Sequence, residues 1–417
     1  MRSSQFKTLL GGAAILLSIM ACSTGSPAMP TIATFPPASA APAVSATAVP
    51  LPATVAPTLA AAPVVTGTAT QIPVTAAPSL PALPPAASPS IQSLYMLDPN
   101  NGWALTDTGV VRTADGGSTW FNATPAGLNG APANPFFLNA GTGWLAANTG
   151  DPTTGTLYHT VDGGASWSTT TVPFGGGSLD FTDAMNGWEM VGLSAGMSHA
   201  AVAVFRTSDG GVNWSRVFIN DTSVAGSSDS LPLVGDKNGI VALDGNRAWV
   251  TGSQPTDNFI YIYATQDGGT SWVHQDLAIP AAYAGAQTGA NLPVFFGSNE
   301  VVLPVLLFAN NNGADFYVSH DAGQTWSATT PIGQGGFLAV ASASDFFVWD
   351  GSAPLSASHD AGASWSTVTP NVTIKDNMVS MQFVNATTGW ALTSDANSHR
   401  TLYKTVDGGS TWTVLIP

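Results

Sequence analysis

"RTADGGSTW", residues 112–120, poses the question that decides the fold, because an Asp followed by two glycines can be a ligand loop or a tight turn. The pattern returns as HTVDGGASW (159–167), RTSDGGVNW (206–214), ATQDGGTSW (264–272), VSHDAGQTW (318–326), ASHDAGASW (357–365) and KTVDGGSTW (404–412). A ligand loop rarely needs seven copies. Their aspartates are spaced 47, 47, 58, 54, 39 and 47 residues apart, the interval of a repeated supersecondary unit.

A second motif precedes each copy: NGWAL (101–105), TGWLA (142–146), NGWEM (186–190), NRAWV (246–250), DFFVW (345–349) and TGWAL (388–392), with NEVVL (299–303) lacking the Trp. These six Trp and the seven of the nonapeptides account for all 13. The last unit divides into four strand-like runs, 378–384, 389–394, 401–406 and 412–417, with no helical segment between them. Four antiparallel strands repeated seven times predict an all-β fold, a seven-bladed β-propeller whose ring leaves no open sheet. A parallel β-helix is the alternative, but its repeats are much shorter.

Each nonapeptide then sits between strands three and four of a blade. Its Asp is expected to accept backbone N–H groups of the turn, its second Gly to take a backbone angle closed to other residues, and its Trp to fold beneath the hairpin. These structural sets are Asp115, Gly117 and Trp120; Asp162, Gly164 and Trp167; Asp209, Gly211 and Trp214; Asp267, Gly269 and Trp272; Asp321, Gly323 and Trp326; Asp360, Gly362 and Trp365; Asp407, Gly409 and Trp412. The first Gly is Ala in two copies, at Ala322 and Ala361, while the second never changes.

The pattern resembles the Asp-box, or bacterial neuraminidase repeat, of sialidases, xyloglucan hydrolases and sortilin-type receptors. With its Gly-Trp strand, residues 101–120 are most similar to the photosystem II stability and assembly factor propellers and their bacterial relatives. The resemblance covers residues 91–417. It implies boxes on the outer rim, away from the ligand face, and a binding, assembly or scaffold module without catalysis. The alternative is a glycan-directed protein, sialidase-like, another glycoside hydrolase or a lectin, using the propeller face.

Sialidase chemistry finds few residues here. Past the N-terminus the arginines are Arg112, Arg206, Arg216, Arg247 and Arg400, the glutamates are Glu189 and Glu300, and the sialidase Arg-Ile-Pro motif is absent. The xyloglucan hydrolases set two carboxylates across a cleft between two propellers, and the repeats here build one. No catalytic residue, cofactor or metal is assigned; the six His show no metal spacing, and His320 and His359 are expected to face solvent. A net charge of −15 with ten Lys+Arg argues against nucleic acid.

The N-terminus carries Arg2 and Lys7, an apolar run from Thr8 to Met20, and the lone cysteine, Cys22. This resembles a bacterial lipoprotein signal over residues 1–21, which implies lipid on Cys22 and an extracytoplasmic monomer anchored to a membrane or cell surface. Residues 23–90 contain no Asp, Glu, Lys or Arg and half of the prolines, so 22–90 reads as a disordered tether. The partner is expected to be a protein or a surface glycan.

Binding candidates come from departures from the repeat. The residues after the strand-two Trp are Ala104, Leu145, Glu189, Val250, Asp350 and Ala391; Asp350 precedes Gly351 and reads as a turn residue, which leaves Glu189 as the exception. The long connections 219–239 and 275–293 and the hairpin 190–201 are expected on the face opposite the boxes, making Asp221, Asp229, Asp236, Lys237 and Tyr283 the candidate surface. Ahead of four boxes stand Arg112, His159, Arg206 and Lys404, readable as a basic arc for an acidic partner or as long side chains covering strand edges.

Overall fold

The computed structural model describes residues 80–417 except 129, 131–132, 148–150, 152, 197–198 and 417. The signal, Cys22 and most of the tether lie outside the described residues. Blade one is the meander Ile91–Met96, Gly102–Thr106, Val110–Thr113 and Phe121–Asn122, each strand antiparallel to the next. Six further units follow the same order, ending with Met378–Phe383, Gly389–Ser394, Arg400–Thr405 and Thr413–Ile416 in blade seven. Blades four and five share one nine-stranded sheet, because Gln287–Ala290 in the connection between them pairs with both (Ser253 with Gly289, Val305 with Ala290). Residues 287–290 of the 275–293 connection are therefore sheet and not surface loop.

There is no single core. Seven apolar clusters each lie between two successive blades, as Trp103, Val110 and Ala123 of blade one do with Phe137, Leu145 and Tyr158 of blade two. The last cluster joins blade seven to blade one through Trp390, Leu392, Leu402, Ile91 and Val111. Gln382 strengthens that closure, accepting from Met96 N at 2.9 Å and donating to Met96 O at 2.7 Å.

The Gly-Trp motif follows from the same interfaces. Trp103 stacks on Phe137 and Trp144 on Phe181, at 4.6 and 3.7 Å between ring centroids, so each Trp packs on the first-strand Phe of the next blade. Where a Gly precedes the Trp it makes room for the last large side chain of strand one in its own blade: a Cβ at Gly143 would come 2.6 Å from the Phe137 ring, and one at Gly102 would meet Met96. In blade six the box residue Ser358 pairs with Phe346, so Phe347 holds the Trp position and stacks on Phe383 at 3.8 Å. Trp349 is two residues out of register with the other strand-two tryptophans. The residue matching Glu189 is thus Val348, and Asp350 begins a turn in which Ser352 donates to its carboxylate.

Residues 84–86, within the stretch whose composition reads as tether, run along the outer strand of blade one. Ala86 N donates to Trp120 O and Asn122 N to Pro84 O, each at 2.8 Å, so this blade edge is covered by main chain.

Candidate functional site

The boxes are turns with three anchors. Asp115 Oδ1 accepts from Thr119 N and the Thr113 hydroxyl, both at 2.9 Å, and Oδ2 accepts from the Thr119 hydroxyl at 2.6 Å. Burial pushes the Asp115 carboxyl up, but these donors outweigh it and hold it below the usual range. In box five, donation by the Thr325 hydroxyl and N–H brings Asp321 down to about 2. The second anchor is the first Gly or Ala, whose N–H donates to the first hairpin of its own blade, from Gly116 to Asn100 at 2.7 Å and from Ala361 to Ser344 at 3.0 Å. The third is the second Gly, which abuts the preceding blade. A Cβ there would lie 2.6 Å from Ala123 at Gly164, 2.6 Å from Leu157 at Gly211 and 2.7 Å from Thr329 at Gly362.

Both box positions are left-handed, with φ of 75° at Gly116 and 94° at Gly117, and also 60° at Ala322 and 57° at Ala361. The backbone angle alone does not demand the second Gly; the neighbouring blade does. Box Trp burial is uneven: Trp120, Trp272 and Trp412 are buried, while Trp167, Trp214, Trp326 and Trp365 keep some exposure.

The basic residues ahead of the boxes are committed between blades. Arg112 lies against Gly163 of blade two, Arg206 against Gly268 of blade four and Lys404 against Gly116 of blade one. Arg206 and Lys404 also sit over the Trp188 and Trp390 rings at 4.7 and 5.1 Å. His159 stacks on Trp144 at 4.6 Å, and burial lowers its pKa. These groups latch the ring together. His320 and His359 are exposed, each within 2.7 Å of a carboxylate, Glu300 or Asp345. Among the described residues no group of three or more His, Cys, Asp or Glu could hold a metal, and no helix is long and apolar enough to cross a membrane.

The candidate surface divides in two. Asp221, Asp229 and Asp236 are accessible, Asp221 being held by Ser223 N and hydroxyl at 2.9 and 2.7 Å. Lys237 instead turns inward, where Nζ donates to the carbonyls of Ala200, Pro232, Leu233 and Gly235 at 2.6–3.1 Å. An ammonium leaving water needs such acceptors, and burial still pulls its pKa down to about 8. Tyr283 is buried beside Gly313, its hydroxyl donating to Ile332 O at 3.3 Å. Both are structural rather than surface groups.

Glu189 is fully buried too, although its place is filled elsewhere by Ala104, Leu145, Val250, Leu303, Val348 and Ala391. Its cross-strand partners are Leu179 and Phe205, in the apolar layer between blades two and three, and neither carboxyl oxygen has a partner. Burial therefore pushes its pKa far up. Desolvation likewise takes Asp180 to about 7 and Asp315 to about 6.

What the structure adds is a cleft between blades five and six. In each meander the hairpin from strand two to three and the exit from strand four share the end opposite the boxes, and three such segments border this cleft. Its volume is about 330 Å³, and its walls are Leu306, Phe308, Asn312, Gly313, Gly335, Gly336 and Asp350. Phe308 is 39% exposed. The signal in the sequence was NNNG at 310–313, three asparagines at a hairpin tip.

A model of the BNR/Asp-box repeat matches residues 317–328, the fifth box with its flanking strands. The chain is an Asp-box β-propeller. A GH74 xyloglucanase from Xanthomonas campestris superposes with a TM-score of 0.52 at 14% identity, over 81% of this chain and 56% of that one. YCF48 bound to a D1 peptide is similar at a TM-score of 0.47 and 19% identity, over 79% of this chain and 99% of that one. A xyloglucanase of Hypocrea jecorina is 24% identical over 247 residues, which is 58% of this chain and 24% of the enzyme. The Asp-box propeller thus spans about a quarter of its curated relative.

Proposed function

We propose that this propeller is a non-catalytic binding module, an extracytoplasmic monomer carried on a lipid at Cys22, which presents the end opposite the boxes to a protein or a surface glycan. The observation that supports it is how the carboxyl groups are distributed. Glycoside hydrolysis uses two facing carboxyls, one of them with a raised pKa to act as the acid. Here Glu189 and Asp315, whose pKa values are raised, are sealed inside the blades, Asp180, also raised, is spent on Ala242 N of the next blade at 2.8 Å, and Asp350 is the one carboxylate lining the cleft, with no second one facing it. Burial pushes Asp350 up, but Ser352 and Lys375 outweigh it and hold it below the usual range, the reverse of what an acid needs.

A glycoside hydrolase is the second reading, favoured by the 24% identity to a xyloglucanase. Incubation of the full chain with sialosides and with plant and bacterial polysaccharides, followed for released sugar, separates the two. No turnover is expected, and turnover of any substrate overturns the non-catalytic reading. The anchor has its own test: Cys22→Ser is expected to move the protein out of the membrane fraction while leaving its melting temperature unchanged. A variant as membrane-bound as the parent removes Cys22 from the proposal.

A further inference from the structure

We propose that the cleft between blades five and six binds a neutral oligosaccharide, with Phe308 as its stacking platform. This rests on the binding-module reading and names the ligand class. Sugars are held by an aromatic ring against their C–H faces and by amide or carboxylate groups that pair with their hydroxyls. Both kinds of group stand here: an exposed aromatic ring, and asparagine amides that make no hydrogen bond within the described residues.

Phe308 ends the strand Glu300–Phe308 at the hairpin, and its ring edge rests on Gly289. A Cβ at Gly289 would stand 3.3 Å from that ring, so the glycine lets the strand Gln287–Ala290 serve as the bed of an exposed aromatic. Beside it, Asn310, Asn311 and Asn312 are exposed and make no hydrogen bond within the described residues. At two other hairpin tips the asparagine side chain closes its own turn: Asn139 accepts from Gly141 N and Thr142 N, and Asn385 from Thr387 N and Thr388 N. Here three asparagine amides stand side by side and none does so.

The charge of the cleft selects among ligands. Asp350 contributes a carboxylate that a hydroxyl can donate to, and its cation, Lys375 at 3.1 Å, is already engaged by it. A phosphate, sulfate or sialic acid would find no cation among the residues lining the cleft and a chain of net charge −15. A wholly apolar ligand would bury the Asn312 amide without a partner. Gly335 and Gly336 leave the opposite wall without side chains, which suits a broad, flat ligand.

The test is binding of the full chain to an array of neutral glucan, xyloglucan, mannan and galactan oligosaccharides, with sialylated and sulfated oligosaccharides beside them. Binding to at least one neutral series is expected, weakened about tenfold or more by Phe308→Ala and severalfold by Asn312→Ala, with melting temperatures at the parental value. No neutral ligand for the parent, preference for the charged series, or undiminished binding by Phe308→Ala overturns the inference. The two readings fail separately. A protein ligand with no glycan bound sinks the oligosaccharide and leaves the binding module, whereas cleavage of a bound glycan sinks the non-catalytic reading and leaves the ligand class.

Discussion

At one end of the propeller Asp115 spends its oxygens on three hydrogen bonds within its own turn, while at the other Asn310, Asn311 and Asn312 spend their amides on none in the described residues. The box end repeats because each box must meet the same two neighbours, its own first hairpin and the blade before it. At the other end no such pair of neighbours recurs from blade to blade, so its connections are free to differ. Repetition marks where the chain is bound to itself, and irregularity marks where it can bind something else.

Two glycines of nearly equal backbone angle break this comparison most sharply. Gly164, φ 86°, sits in a box with Ala123 2.6 Å from where its Cβ would be; Gly226, φ 82°, sits in the 219–239 connection with nothing within 4 Å. Gly226→Ala meets only the left-handed strain and is expected to cost about 1 kcal/mol. Gly164→Ala must also push two blades apart and is expected to cost about 3 kcal/mol or more, since a packed interior does not yield. Chemical denaturation of the two variants reads the difference, and equal losses would mean that the interface at the box is softer than its packing.

Asp115→Ala comes next. It leaves Thr119 N and two hydroxyls without their acceptor at a partly exposed turn, and the expected loss is about 1–3 kcal/mol. Equivalent changes at Asp162 and Asp209 are expected to match it, and ligand binding at the opposite end is expected to stay parental. A variant that keeps the parental melting temperature and loses binding would make the box a site.

Much of this was legible in the residues. The nonapeptide spacing predicts the blades, and strands expected at 378–384, 389–394, 401–406 and 412–417 lie at 378–383, 389–394, 400–405 and 413–416. Repeats are readable because each copy checks the others. That check fails where a copy diverges: in DFFVW the Trp draws the alignment to itself, and only pairing with Ser358 shows that Phe347 holds the position. It fails wholly in the insertions, where burial depends on how an irregular connection folds back on itself and no second copy shows that path. Lys237 reads as a surface cation, and the carbonyls that enclose it come from 200 and 232–235. Phe308 had no repeat partner to mark it.

Glu189 lies between these extremes, since repeat comparison singles it out and its burial departs from the rule for carboxylates. Glu189→Leu restores the side chain used at Leu145 and Leu303, and near neutral pH it is expected to stabilise the fold by about 2 kcal/mol. The sign with pH follows from linkage. The folded carboxyl keeps its proton where the unfolded one, near 4.3, has lost it, so the native state binds more protons and the parent weakens as pH rises above that value. Asp315, at about 6 in the fold, acts in the same direction between about pH 4 and 6. The advantage of Glu189→Leu is therefore expected to be larger at pH 8 than at pH 5. An advantage independent of pH would mean that Glu189 is ionised in the fold and has found a partner.

The smallest effect is expected at the first box position, where Ala361 stands in place of Gly at φ 57°. Its N–H is anchored on Ser344 O whichever residue is present, so the bond survives substitution. Ala361→Gly relieves left-handed strain of about 1 kcal/mol, but it also frees the unfolded chain by about 0.5–1 kcal/mol and removes a methyl packed against the apolar cluster between blades five and six. The opposing contributions leave a net change within about 0.5 kcal/mol of zero. Gly362→Ala, one residue later, introduces a Cβ 2.7 Å from Thr329 of blade five and is expected to cost as much as Gly164→Ala. If the two adjacent substitutions shift the denaturation midpoint equally, backbone angle and not the neighbouring blade is what keeps the second glycine in all seven boxes.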